Sequence, residues 1–208
     1  MKKLESTLTN MVVVLTSVTL ISAALLGVMQ QLTKDPIAQI ERRTLEDGIK
    51  KVMLQGAAGE LTVARVDTVS AEGQDFIVYS AEQGGEPLGK AVKTTVTGFS
   101  PGLTVLAGFD NEGTILGYEI LATAETPGLG AKAGQWFQKG AKGDIIGKNP
   151  STPLAVKKDG GDVDAITAST ITSRAFLRAI NMEYQVAAGA GMQDINTGAT
   201  EKVAQAGE

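Results

Sequence analysis

The sequence predicts an α+β fold: a single N-terminal transmembrane helix, followed by a mostly antiparallel sheet domain with flanking helices. Three observations carry that prediction. Residues 11–29 (MVVVLTSVTLISAALLGVM) contain no charged side chain. Between Leu61 and Ala122 the apolar residues recur with the period of half-buried strands. On either side of that stretch, over residues 36–54 and 171–187, the period becomes that of an amphipathic helix.

The uncharged run would span about 28 Å as a helix, close to the hydrocarbon thickness of a bilayer. Lys2 and Lys3 precede it, and Gln30, Gln31, Lys34 and Asp35 follow. It reads as a membrane anchor occupying residues 1–32. A cleaved signal peptide ending near Ser22-Ala23-Ala24 is the competing reading. Against it, the apolar residues continue through Leu25, Leu26, Val28 and Met29, beyond the usual length of a signal's apolar region. Only the nearest flank favours a cytoplasmic N-terminus, because Lys34, Arg42 and Arg43 follow the span. Thr19, Ala23 and Gly27 form a small-residue stripe that suits either an ordinary span or a partner helix.

Asp35-Pro36 reads as an N-cap and a first helical position, opening a helix over 36–54. Ile37, Ile40, Leu45, Ile49, Val52 and Met53 share one side of it, and Arg42, Arg43, Glu46, Asp47, Lys50 and Lys51 the solvated side. Strands follow at 61–70, 75–80, 88–97, 103–109 and 114–122, separated by turn signals such as Gly84-Gly85 and Asn111-Glu112-Gly113. A short helix fits 131–139 and a strand fits 153–157, with Asp159-Gly160-Gly161-Asp162 as a tight hairpin. The final helix runs over 171–187. The tail 189–208 is Gly, Ala and polar residues, a composition that predicts disorder. The globular domain is therefore expected over 33–188.

Composition narrows the chemistry. Among 208 residues there is no Cys and no His. Thiol nucleophiles, iron–sulfur clusters, Cys- or His-ligated metals and Ser-His-Asp triads are thereby excluded. Nineteen basic against 23 acidic side chains give a net charge of −4, which argues against a nucleic-acid partner. Redox work by this chain needs a cofactor that it carries.

Two stretches exceed what packing requires. Glu125 to Gly130 (ETPGLG) leaves a strand for a helix containing Trp136 and Phe137, with Pro127 fixing the turn and Gly128 and Gly130 freeing it. A plain strand-to-helix turn explains it as well as a ligand loop does. Asp164 to Phe176 (DAITASTITSRAF) places Thr167, Ser169, Thr170, Thr172 and Ser173 at a helix start. Helix N-termini suit phosphate, and Arg174 could add charge. An N-cap with spare hydroxyls is the alternative.

Taken together, ETPGLG and the D-A-I-T-A-S-T-I-T-S helix start resemble one family. It is the FMN-binding domain of the G subunit of the Rnf electron-transport complex, shared with the C subunit of the Na⁺-translocating NADH:quinone oxidoreductase. The resemblance extends from the single anchor through the final helix. It implies FMN joined through its phosphate to the threonine that ends an S/T-G-A-T motif. Here that motif corresponds to Thr167-Ala168-Ser169-Thr170, with Ala in place of Gly and Ser in place of Ala. Thr197-Gly198-Ala199-Thr200 matches four letters literally, but only Thr170 has the Ile171-Thr172-Ser173-Arg174 continuation. Thr170 is the expected attachment site and Thr200 the competitor.

The resemblance further implies cofactor contacts from Glu125, Thr126, Gly128, Leu129, Trp136, Thr167, Ser169, Thr172 and Ser173. Trp136 is the best-placed aromatic for the flavin ring and Leu129 an apolar neighbour. No residue is expected to act as a catalyst or metal ligand. The implied role is an electron relay within a ferredoxin/NAD complex coupled to ion transport, as part of a translocase rather than a stand-alone enzyme. Partners would be the complex's other membrane and redox subunits and a flavin transferase. The domain would lie on the periplasmic side of a bacterial inner membrane. The C subunit of the quinone reductase, and an anchored interaction domain without flavin, are the alternatives.

Overall fold

The computed structural model describes residues 7–54, 59–71 and 73–189, except for the side chain of Asp35. Lys2, Lys3, Gly56, the tail after Gly189 and Thr200 lie outside the described residues. The chain divides into two compact units at Thr44/Leu45.

The first unit is helical. Its helix belongs to α1, Leu8–Leu54, which contains Pro36. The expected restart at Asp35-Pro36 is therefore corrected. An interior proline forfeits its own N–H bond and crowds the preceding turn. Strong helix formers on both sides, from Gln30 to Leu32 and from Ala38 to Arg42, favour continuing the helix. The segment is long and apolar enough to cross a membrane, and none of its most apolar window is buried against protein. Ser17 and Thr19 donate to the Val13 and Leu15 carbonyls, each at 2.8 Å, so these hydroxyls are satisfied within the helix. Ile37 and Ile40 are exposed.

The second unit is built on a five-stranded antiparallel meander in the order β1-β2-β3-β4-β5. The strands are Leu61–Ala71, Gln74–Gln83, Glu86–Val96, Leu103–Asp110 and Ile115–Ala122. Two-residue alternation gives the sheet two apolar faces. Tyr79, Ala81, Ala91 and Leu106 pack with Ile49, Val52 and Met53 from the end of α1. Gly108 and Gly117 make room for that packing, since a Cβ on either would approach the Val52 backbone to 2.9–3.1 Å. Phe76, Val78, Val92, Val105, Ala107 and Phe109 face the other way, into the larger core.

That larger core is closed by α3, Thr170–Ala188, through Phe176, Leu177, Ala179, Ile180 and Met182. Gly189 ends the helix at φ +67°, its N–H reaching the Gln185 and Val186 carbonyls. Phe176 stacks on Phe137 at 4.5 Å between ring centres and meets Tyr118 edge-on at 4.7 Å.

Two elements between β5 and α3 depart from the expected ones. The helix predicted over 131–139 is a 3-10 turn, Gly130–Lys132, and a four-residue α2, Ala133–Trp136. The Tyr118 hydroxyl donates to the Ala133 carbonyl at 2.6 Å and accepts from the Phe137 N–H at 3.2 Å. Those are the two groups a continuing helix would join to each other. Burial pushes the Tyr118 pKa up, which keeps that hydroxyl a donor. The strand predicted over 153–157 is reduced to one parallel bridge between Val156 and Val163. The predicted hairpin is replaced by a 3-10 turn, Lys157–Asp159. Gly161 is needed there, because a Cβ would fall 2.0 Å from the Ala155 carbonyl oxygen.

Candidate functional site

The site forms where three chain segments meet at the N-terminus of α3. The approach to that helix is unusual. Ala168 has φ +61°, the sole positive value at a non-glycine position among the described residues. This left-handed turn reverses the chain between Ile166 and Ser169, whose N–H reaches the Ile166 carbonyl at 3.0 Å. Ser173 fastens the turn from within the helix. Its hydroxyl accepts the Ile166 N–H at 2.9 Å and donates to the Ser169 carbonyl at 3.0 Å. Glycine is the residue such a turn favours, so the backbone keeps a glycine-like conformation although alanine occupies it.

Ser169 is the N-cap of α3, and its side chain makes no capping bond. The first-turn amides of a 19-residue helix therefore receive no acceptor from their own cap. Thr170 follows at the first helical position and lines a cavity of about 440 Å³. Its hydroxyl-bearing lining residues are Thr126, Ser169, Thr170 and Thr172, and its apolar ones are Phe99, Leu129, Ala168 and Ile171. Glu125 and Gly130 complete the lining.

Glu125 ties the segments together. Its Oε2 accepts the Thr172 hydroxyl at 2.9 Å, and its Oε1 accepts the Ser100 N–H at 3.1 Å. The carboxylate is buried. Thr126 stabilises the next turn, its carbonyl accepting the N–H groups of Leu129 and Ala131. Gly128 sits in that turn at φ +77°.

Of the residues singled out in the sequence, Glu125, Thr126, Leu129, Ser169, Thr170 and Thr172 come together in this cavity. Gly128 and Ser173 shape its backbone without lining it. Thr167 is exposed and stands outside the lining. Trp136 is also outside it. Its indole N–H donates to the Asp164 carbonyl at 2.8 Å, packing the ring against the core below the turn. Arg174 is not available as a free cation. Its guanidinium makes a two-pronged pair with Asp159, at 2.7 and 2.5 Å. That pairing lowers the Asp159 pKa and raises that of Arg174.

Gly130, singled out with the ETPGLG loop, also lines the cavity, whereas sequence reading missed Phe99, Ala168 and Ile171 as lining residues. Phe99 left a usable signal: an aromatic residue in the turn Gly98-Phe99-Ser100-Pro101-Gly102, in a chain only 4% aromatic. Ile171 is 53% exposed within an otherwise well-packed helix, a consequence of the tertiary packing that its apolar character does not announce.

A cavity that combines hydroxyls and a helix N-terminus with apolar side chains suits a ligand that carries both an anionic group and a flat apolar ring. A flavin mononucleotide has that character. A family profile described as the FMN-binding domain matches residues 98–185, which contain every residue of the cavity. The chain carries an FMN-binding domain.

Curated relatives extend the likeness to most of the chain. The G subunit of the ion-translocating oxidoreductase complex of Vibrio atlanticus (strain LGP32) is 32% identical over 79% of this chain and 82% of its own length. The protein of the same name in Escherichia coli (strain K12) is 32% identical over 76% and 81%. The G subunit of the Na(+)-translocating ferredoxin:NAD(+) oxidoreductase complex of Acetobacterium woodii is 32% identical over 80% and 84%. The chain belongs to this family of G subunits of ion-translocating oxidoreductase complexes.

Proposed function

We propose that this chain is a membrane-anchored electron-relay component of an ion-translocating oxidoreductase complex, carrying FMN esterified through its phosphate to Thr170. The single observation that carries the assignment is the position of Thr170, at the open end of α3 and in the wall of the amphipathic cavity. Bound FMN supplies the electron-accepting and electron-donating ring. The protein's own residues do the rest. The first turn of α3 and its hydroxyls accommodate the phosphate, and Phe99, Leu129 and Ile171 offer the ring apolar surface to cover. An ester bond prevents loss of the cofactor from a domain outside the cytoplasm. Relatives named as members of such complexes support other subunits as partners.

The finer parts of this reading are the anchor over 1–32, the flavin domain over 33–188, and a flavin transferase that loads Thr170. The anchor would cross a bacterial inner membrane once, with its N-terminus cytoplasmic and the domain periplasmic. The kept left-handed turn at Ala168 supports recognition of the motif despite its missing glycine. Co-expression with a flavin transferase tests the attachment. Thr170→Val should abolish flavin fluorescence that survives denaturation, whereas Thr200→Val should retain it. The reverse pattern moves the site to Thr200. A parent chain that never carries flavin favours the anchored interaction domain instead.

A further inference from the structure

Phe99 and Thr170 are 71 positions apart by their numbers, yet they wall the same cavity. Phe99 is 69% exposed, although it is one of the few aromatic residues in the chain. A large apolar ring left in solvent at the rim of an apolar-walled cavity gains from whatever covers it. Its loop has few other restraints. The Gly98 N–H reaches the Ser100 carbonyl at 3.2 Å, which only curls the loop on itself. The tie to the rest of the site is the Ser100 N–H, held by Glu125 Oε1 at 3.1 Å.

The surroundings of Glu125 are shaped for that carboxylate. A Cβ on Gly98 would fall 2.2 Å from Oε1, and one on Gly130 would fall 2.4 Å from Oε2. Two glycines on different segments thus leave room for one side chain, which is itself 5% exposed. With Thr172 on Oε2, the carboxylate joins the Phe99 loop to the first turn of α3, two residues from Thr170.

We infer that Glu125 is a positioning residue: it clamps the Gly98–Gly102 loop to the start of α3, so that the Phe99 ring packs against the flavin held at Thr170. The flavin half rests on the function proposed above; the clamp does not. Leu129 and Ile171 complete the apolar wall but make no comparable tie. The geometry assigns Phe99 the ring-facing role that sequence reading gave to Trp136.

Two measurements on the full-length protein in detergent separate the clamp from the flavin reading. The first is amide exchange on protein made without a transferase, and hence without flavin. Glu125→Ala should speed exchange at Ser100 at least tenfold while β4 amides stay protected. Glu125→Gln, which keeps an acceptor, should restore protection. If Ser100 remains as protected as in the parent, the clamp is overturned. Should Glu125→Ala lose β4 protection as well, Gly98→Ala displaces the same carboxylate and must speed Ser100 exchange with β4 intact.

The second measurement uses flavin-loaded protein. An indole in contact with an excited flavin quenches it by electron transfer. Phe99→Trp should therefore shorten the flavin fluorescence lifetime severalfold, and adding Glu125→Ala should lengthen it again. Val66→Trp, on exposed β1, should leave the lifetime unchanged. An unchanged lifetime in loaded Phe99→Trp overturns the ring contact and points to a protein partner as the cover for Phe99. A parent that cannot be loaded overturns the ring contact together with the proposed function, while amide exchange still decides the clamp.

Discussion

Asn181 in α3 makes both backbone hydrogen bonds of Leu154. Its Oδ1 accepts the Leu154 N–H at 2.9 Å, and its Nδ2 donates to the Leu154 carbonyl at 2.9 Å. A side-chain amide thus stands where a neighbouring strand would, and both residues are buried. Asn181→Ala leaves a buried donor and acceptor unpaired, a loss of about 2–4 kcal/mol. Denaturant unfolding followed through Trp136, the sole tryptophan, would measure it. A loss within experimental noise would show that another group takes over.

Ala168 offers the opposite sign. Its φ of +61° is strained for a residue with a Cβ. Ala168→Gly should therefore stabilise the protein by about 0.5–1 kcal/mol, after the greater unfolded-chain freedom of glycine is offset. A β-branched residue tolerates the conformation less well, so Ala168→Val should lower the melting temperature. A destabilised glycine variant would contradict the strain.

Glu183 makes stability depend on pH. The side chain is fully buried and neither carboxylate oxygen makes a well-formed hydrogen bond. Burial raises its pKa well above the usual carboxylate range, and the Thr94 backbone offsets this only in part. The folded protein therefore holds this proton more tightly than the unfolded chain does. Its contribution to stability is complete below the unfolded pKa of about 4.3. That contribution is lost as pH rises through the higher folded value. Glu183→Gln should remove this dependence, so its melting temperature relative to the parent should climb between pH 5 and pH 8. A constant difference across that range would mean that Glu183 does not titrate with folding.

Topology is testable without mutation. With the domain periplasmic, protease added to intact spheroplasts should digest the sheet domain. Inverted membrane vesicles, which enclose the periplasmic face, should spare it. Full protection in sealed spheroplasts would reverse the proposed orientation.

The sheet was legible because β2 to β5 are runs rich in apolar and β-branched residues separated by turns that carry Gly and Asn; their ends shift by only a few residues from expectation. The final helix was legible for the same kind of reason, with Gly189 as its stop. What failed was local pattern where a distant side chain competes with the backbone. Tyr118 takes over the carbonyl and amide that would have prolonged α2. Asn181 replaces the partner of the expected strand at Leu154. The site followed the same division. Its hydroxyl-rich helix start and ETPGLG loop carried their own signals, whereas Phe99 joins them only through Glu125.

The meander also sets an order of assembly. Each of its hairpins joins strands adjacent in the chain, so every pairing closes a short loop. The Glu125–Thr172 bond closes a separation of 47 residues and needs α3 already seated on the sheet. Loop entropy therefore places the cavity late in folding, after the sheet is hydrogen-bonded. Pulse-labelling during refolding should protect amides of β3 and β4 before that of Ser100. Simultaneous protection would show that the sheet and the cavity form in one step.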